Sequence, residues 1–376
     1  MINYTDSDIK FFKAELKSEV YESILPHMIQ SDKENTLPEE LLNFYKTKNL
    51  FEYFSVDNAT ELRNSLLYTV AAAEAVSQGC AGFASVLSVN FIGQALVFSY
   101  LDDKNRDLYI DYLNGSKLIG YAGFYENSYI KNNDLPVTYK DDGAEVVING
   151  EIKHVLLGSK ASAIILTAEK ETEDTDKVYT TFFLDISSDG VEIEENLETI
   201  GLCCLPVNSI KLRDVRIPRK NILGLAEKGL EVQKNYDTIA RLYASAIAAG
   251  IIKNSYLKSY HYSREREQFG VNIGSFQAIE DMMIDMKIAY NACESMISAL
   301  INDILNDIVY AECPAAEVKL FAAEAAMKSA IDSVQIHGGY GYMKDYPVEK
   351  LFRDAKMLQI CFGTPHLLKR LIANKL

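Results

Sequence analysis

Asp237 and Arg241 stand four residues apart, a carboxylate and a guanidinium that a helix would set on one face. Such a carboxylate can serve as a general base if a substrate proton comes within hydrogen-bond reach. The same spacing also describes an ordinary ion pair on a helix surface. Farther along, Arg264-Glu265-Arg266-Glu267-Gln268-Phe269-Gly270 sets cations beside a glycine, and Gln335-Ile336-His337-Gly338-Gly339-Tyr340-Gly341-Tyr342 is a glycine-rich turn. A diphosphate needs cationic and backbone N–H donors, and glycine lets the backbone come close to a cofactor. No His/Cys/Asp/Glu group has metal-ligand spacing, and neither a G-x-S-x-G nor a Walker-type loop is present.

The 376 residues that must position these groups predict two or three domains. An apolar fraction of 48% describes a foldable chain, and a net charge of −15 disfavours nucleic acid, whose phosphates call for clustered Lys and Arg. Six scattered cysteines form no C-x-x-C pair, and the mixed-charge start lacks the order of a signal peptide, so a reduced, cytoplasmic protein is expected. Ala75–Leu101 carries no charge, but its Ser, Asn, Gln and Gly residues fit a buried helix better than a membrane span. Apolar residues at three- and four-residue steps predict helices over 1–118. Short β-type runs such as Glu145–Gly150, Ala163–Thr167 and Tyr179–Leu184 predict a β domain over 119–224. Ala-rich stretches around Ala244–Ala249 and Ala315–Ala330 predict long, closely packed helices over 225–376. The expected fold class is α+β: an N-terminal helical domain, a middle β-sandwich or barrel, and a C-terminal four-helix bundle.

Four segments together resemble the acyl-CoA dehydrogenase family. Arg213–Gly224 looks like the exit from that family's β domain, and Arg264–Gly270 with Phe276-Gln277 like its R-x-Q-F-G segment. Gln335–Tyr342 is similar to its Q-x-x-G-G-x-G-Y turn, and Arg353-Asp354-Ala355-Lys356 leading to Gly363-Thr364 to its closing R-D-A-K…E-G-T. The resemblance implies FAD, with Arg266, Gln268 and Phe269 reaching the diphosphate and adenosine part of a flavin held mainly by a neighbouring subunit. It places Gln335, Gly338 and Gly339 on the ADP moiety across that interface, and Thr364 at the cofactor. A homodimer or homotetramer with a shared flavin site follows, and no membrane partner.

The departures from the family pattern are as informative. The family's catalytic glutamate precedes the closing Gly-Thr, where this chain has Phe362, and its alternative position, just before Arg241, is Ala240. Asp237 is the leading substitute base. Glu126 is second, on a loop expected near the flavin pyrimidine end, where it could equally be a structural carboxylate accepting backbone hydrogen bonds. The family's ring-wrapping loop corresponds to Tyr125-Glu126-Asn127-Ser128, and its W-I-T-N/S-G strand end to His154-Val155-Leu156-Leu157-Gly158. Leu156 therefore stands where a hydroxyl would meet flavin N5. His337 reads as a packing or capping residue, and His366 as the start of the last helix near the substrate channel.

These features point to an FAD-dependent dehydrogenase of a small acyl thioester, with Arg241 and Phe362 at the substrate and Phe362 shortening its channel. The branch that resembles it most oxidises hydroxyacyl or seryl groups on an acyl carrier protein, making extender units for polyketide and nonribosomal peptide assembly. Lys253, Lys258, Arg264 and Arg266 are the candidate basic patch for an acidic carrier. Two alternatives share the sequence: a catalytically silent subunit paired with an active homologue, and a flavin monooxygenase on the same fold.

Overall fold

The computed structural model describes residues 6–54, 62–100, 105–122, 136–172 and 177–375. The chain opens with helices α1 (Asp6–Ser23), α2 (Met28–Glu34), α3 (Glu39–Thr47), α4 (Leu62–Ser77), α5 (Ala81–Ser99) and α6 (Arg106–Leu113). α5 is long and apolar enough to cross a membrane, yet nearly all of it is buried inside the fold. Its serines, asparagine and glutamine find uses there: Asn90 Oδ1 accepts from Ile119 N at 2.9 Å, and Gln94 Nε2 donates to the Phe51 and Tyr112 carbonyls.

Strands β1 (Ile119–Ala122), β2 (Val137–Asp142), β3 (Glu145–Leu156), β4 (Ala163–Lys170), β5 (Tyr179–Asp185), β6 (Val191–Asn196) and β7 (Val207–Pro218) follow. β1 pairs with both β4 and β3, and β2 pairs with the same two strands, so these four close into a ring. β5 extends it beside β4, and β7 then β6 beyond β3. Alternating side chains from Val146, Ile148, Leu166, Phe182 and Val215 fill a core of their own. The pairing of β3 with β7 shifts register between Ile152 and Val155, and His154 there takes φ 64°. That irregularity turns the end of β3 toward the helices.

α7 (Gly229–Glu265), α8 (Gln277–Asn306), α9 (Glu312–His337), α10 (Val348–Ile360) and α11 (Pro365–Ala373) form the C-terminal bundle, with a small hairpin of β8 (Glu267–Gln268) and β9 (Val271–Asn272) after α7. Small residues let the helices approach: a Cβ on Gly250 of α7 would lie 2.5 Å from Ser77 Cβ and 2.7 Å from the Glu74 carbonyl oxygen of α4. α10 is clamped to α2 and to the middle domain. Arg353 bonds Asp32 at 2.7 Å, Glu349 at 2.7 Å and the Ile200 carbonyl at 2.7 Å. Asp354, 1% exposed, accepts from Lys350 at 2.5 Å and from Leu202 N at 2.8 Å. Burial alone would lower the Lys350 pKa, but Asp354 reverses this and holds the ammonium protonated. The Arg-Asp of the closing motif thus fixes the segment around 197–205 against α10.

Candidate active site and cofactor crevice

The first half of α7 carries Gln233, Asp237 and Arg241 at four-residue steps, hence along one face. Gln233 Nε2 donates to Asp237 Oδ1 at 2.9 Å and to Tyr121 Oη at 3.0 Å, while Tyr121 reaches the same Oδ1 at 3.4 Å. Gln233 Oε1 accepts in turn from Thr167 on β4, itself bonded to Thr181 on β5. A hydrogen-bonded chain therefore runs from the sheet through α7 to β1 and orients the Asp237 carboxyl. The Tyr121 ring lies flat on Tyr236, with centroids 4.1 Å apart, and leans on Phe362 at 5.9 Å. Burial pushes the Tyr236 phenol up, so it stays protonated.

Arg241 is 1% exposed. Its Nε donates to the Phe362 carbonyl at 3.2 Å, and Lys319 of α9, equally buried, donates to the Gly363 carbonyl at 2.5 Å. Two buried cations thus hold consecutive carbonyls of a turn in which Phe362 (φ 54°) and Gly363 (φ 112°) are both left-handed. An aromatic residue in that region is costly and persists only where its surroundings impose it. Arg241 Nη2 is 3.9 Å from Asp237 Oδ2, too long for a hydrogen bond, and Nη1 has no partner.

These groups wall a cleft of about 480 Å³, lined by Tyr121, His154, Leu156, Asp237, Arg241 and Phe362 among others. A second void of about 20 Å³, room for roughly one water, lies behind it. Leu156, Met357, Cys361 and Phe362 line both spaces, so they form the partition between them.

At the far end of α7 the materials differ. Arg266 caps the helix, and Phe269 (φ 56°) and Gly270 (φ 83°) make the two-residue turn of the β8–β9 hairpin, where positive φ at both positions matches the strand twist. Phe269 is 94% exposed. Gly338 ends α9 at φ 58°, ψ −137°, a conformation open to glycine, with empty space where a Cβ would stand. Arg266, Phe269 and Gly338, with Tyr262, Gln268 and Gly339, line a crevice of about 540 Å³. The Arg266 guanidinium lies over the Tyr340 ring at 5.7 Å and has no carboxylate partner among the described residues. His337 stacks on Tyr262 at 4.3 Å, its Nδ1 2.7 Å from the Ser333 carbonyl, and burial lowers its pKa, so it packs as a neutral ring. An unpaired guanidinium, an amide, open glycine backbone and an uncovered aromatic ring suit the nucleotide tail of FAD.

Residues 227–376 match the acyl-CoA dehydrogenase C-terminal domain. A probable acyl-CoA dehydrogenase of Bacillus subtilis, YngJ, is 30% identical over 311 residues, covering 81% of each chain. The chain belongs to the acyl-CoA dehydrogenase family. A 3-(aryl)acrylate reductase of Clostridium sporogenes is 26% identical over 306 residues, covering 80% of this chain and 79% of that one. Among solved structures, butyryl-CoA dehydrogenase from Megasphaera elsdenii superposes with a TM-score of 0.91 at 21% identity, covering 100% and 99% of the two chains. The prolyl acyl carrier protein oxidase AnaB does so at 0.88 and 20%, covering 99% of each. Acyl-CoA dehydrogenase homologues bind FAD, act on acyl thioesters and are typically oligomeric, which makes this chain a flavin-dependent acyl thioester oxidoreductase.

In this acyl-CoA dehydrogenase homologue, Asp237, Arg241, Leu156 and Phe362 meet in the cleft, and Arg266, Gln268, Phe269, Gly338 and Gly339 in the crevice. Gln335 is exposed on the last turn of α9, outside the crevice lining. Thr364 lines neither space; it is the N-cap of α11, accepting from Leu367 N at 3.5 Å, because a helix start needs an acceptor there. Tyr125 and Glu126 lie outside the described residues. The basic patch on α7 does not assemble. Lys253 sits over the Tyr290 ring at 4.4 Å and Lys258 lines a small interior void, so both are half-buried. Sequence reasoning missed Tyr121, Lys153, Glu198 and Lys319. Of these only Lys319 left a signal, a lone cation among the alanines of α9.

Proposed function

We propose that this protein oxidises a small acyl group, hydroxyacyl or seryl, presented as a thioester on an acyl carrier protein in the cytoplasm, as a step toward polyketide or nonribosomal peptide extender units. The observation that carries the reading is the partition of Phe362 and Leu156, which stops the cleft short and leaves a void of about 20 Å³ where a long acyl chain would continue. When bound, FAD supplies the hydride acceptor. Asp237 is the carboxylate placed in the cleft wall to take the α-proton, with Gln233 and Tyr121 orienting it. Lys319 and Arg241 fix the turn that holds Phe362 across the cleft floor. Arg266, Gln268, Gly338 and Gly339 would hold the nucleotide tail. Tyr262 in the crevice and Arg241 in the cleft are separated by 21 residues of α7, roughly 31 Å along the helix axis, so each half of one chain serves a different FAD in a homodimer or homotetramer.

A carrier protein needs a docking surface, and exposed basic residues beside the cleft support this reading. His366, Lys369 and Arg370 are exposed on one face of α11, next to Leu367 of the cleft wall, and neither Lys369 nor Arg370 has a carboxylate partner among the described residues. That face complements an acidic carrier. The fold of AnaB, an acyl carrier protein oxidase, is consistent with this use. Anaerobic flavin bleaching by seryl- or hydroxyacyl-carrier protein, compared with the same acyl group on CoA, tests it. The carrier-bound form should reduce the flavin faster, and K369E/R370E should slow it about tenfold without affecting a pantetheine thioester. Equal rates from CoA and carrier, unchanged by charge reversal, would remove the carrier protein from the account.

A further inference from the structure

Cys80 and Cys204 are far apart in sequence, yet their thiols share a hydrogen bond where the start of α5 meets the 197–205 segment. Gly82 leaves the room for this: a Cβ there would lie 2.8 Å from Cys204 Sγ. Cys80 immediately precedes the 19 residues of α5, so its thiol stands at the positive end of a long helix. Burial alone would push that thiol up, but the hydrogen bond from Cys204 and the Lys350 ammonium outweigh it and hold Cys80 down at about 7. Cys203, next in the chain, is engaged elsewhere. Its thiol donates to the Thr199 carbonyl at 3.3 Å, and burial together with Asp32 raises it to about 11. Cys80 and Lys350 also line a void of about 50 Å³ with Asn254, Lys258 and Tyr21. Tyr21 is exposed, so the void lies just beneath the surface. It has room for a few waters, and hence for hydrogen peroxide but not for a molecule of glutathione's size.

We propose that Cys80 and Cys204 are a site of reversible oxidation by hydrogen peroxide, closing to a disulfide that ties the start of α5 to the 197–205 segment. The Cys80 thiolate attacks one peroxide oxygen: an S–O bond forms, the O–O bond breaks, and hydroxide leaves, taking up as water the proton that Cys80 had released. The Cys204 sulfur then attacks the Cys80 sulfur, and the S–S bond forms as the S–O bond breaks. The Cys204 proton leaves with the departing oxygen as a second water. Two thiols give up two electrons in all, and one peroxide becomes two waters. Leu197, Glu198 and Thr199 of the same segment line the cleft, so the disulfide tethers that part of the cleft wall.

The experiment treats FAD-loaded protein with hydrogen peroxide, alkylates the remaining thiols in denaturant and maps linked peptides by mass spectrometry. The wild-type protein should lose two of its six free thiols to a single Cys80–Cys204 linkage. That linkage should form at least tenfold faster than Cys203 or Cys293 is oxidised, and dithiothreitol should reverse it. Glutathione disulfide at the same concentration should act at least tenfold more slowly than peroxide. Cys204→Ser should stop at a sulfenic acid on Cys80 that dimedone captures, whereas Cys80→Ser should leave Cys204 unlabelled. Amide exchange over 197–205 should slow at least threefold in the oxidised wild-type protein. Six free thiols after peroxide, or a linkage through Cys203, overturn the proposal whether or not the variants fold. A dimedone label on Cys204 in Cys80→Ser overturns Cys80 as the attacking thiol. Unchanged exchange over 197–205 in the oxidised protein overturns the tether.

Discussion

Asp237 and Arg241, in the first half of α7, are over nine-tenths buried and held by Gln233, Tyr121 and the Phe362 carbonyl; Arg266 and Phe269, at the other end, stand in the open. In the cleft wall Asp237 is tied through Gln233 to the sheet and Arg241 Nε to the closing turn. The crevice is unfinished, offering donors and an aromatic ring to something outside the chain. The difference separates a region that is held from within the chain from one that offers its groups outward. The open crevice needs only a few exposed residues on a turn and a helix end. The cleft instead depends on a hydrogen-bonded frame that runs from β4 and β5 through Gln233 to Asp237.

The largest expected effect separates the two regions. Asp237→Asn should slow thioester-driven flavin reduction at least 100-fold while leaving FAD content intact, as loss of a general base commonly costs 10²–10⁴. An unchanged rate would mean that Asp237 only pairs with its neighbours. The frame behind the cleft is next. Asp354→Ala strands the buried Lys350 ammonium and should cost about 3–5 kcal/mol in denaturant unfolding. A loss under about 1 kcal/mol would show that the clamp on 197–205 is not structural. At the crevice, Arg266→Ala should weaken FAD binding about 10–100-fold, the range for one charge-assisted contact, with the melting temperature of the apoprotein unmoved.

The smallest effect is electrostatic. His337 titrates below its ordinary value because burial disfavours its charged form. Between the unfolded value near 6.5 and the lower folded one, the unfolded chain binds more protons, so stability falls as pH drops through that window. His337→Phe should flatten this acid-side decline in thermal melts between pH 7 and 5. A decline as steep as in the wild type would assign it to other groups.

The helical and β segments were legible because each carries its own period, from the apolar steps of Leu62–Ser77 to the β-branched runs of Ala163–Lys170. So was the pairing of Asp237 with Arg241 on one face, since that is local geometry. What spacing cannot say is how two such side chains share a site. The 3.9 Å gap between them exists because Gln233, Tyr121 and the Phe362 carbonyl compete for both partners. Tyr121 and Lys319 reach the site from segments far from Asp237 in sequence, through strand pairing and helix packing that leave no local trace. The motif Arg353-Asp354 was visible as a resemblance, but its work as a clamp on Asp32, Ile200 and Leu202 depends on folding alone.

The proposed function requires that Asp237 act as the base for oxidation of a short acyl thioester. Anaerobic titration of FAD-loaded protein with hydroxyacyl-carrier protein tests it most directly, with flavin absorbance as the readout. Stoichiometric bleaching is expected, at a rate that Asp237→Asn cuts at least 100-fold. A flavin that stays oxidised with every short acyl thioester, hydroxyacyl and seryl included, would contradict it.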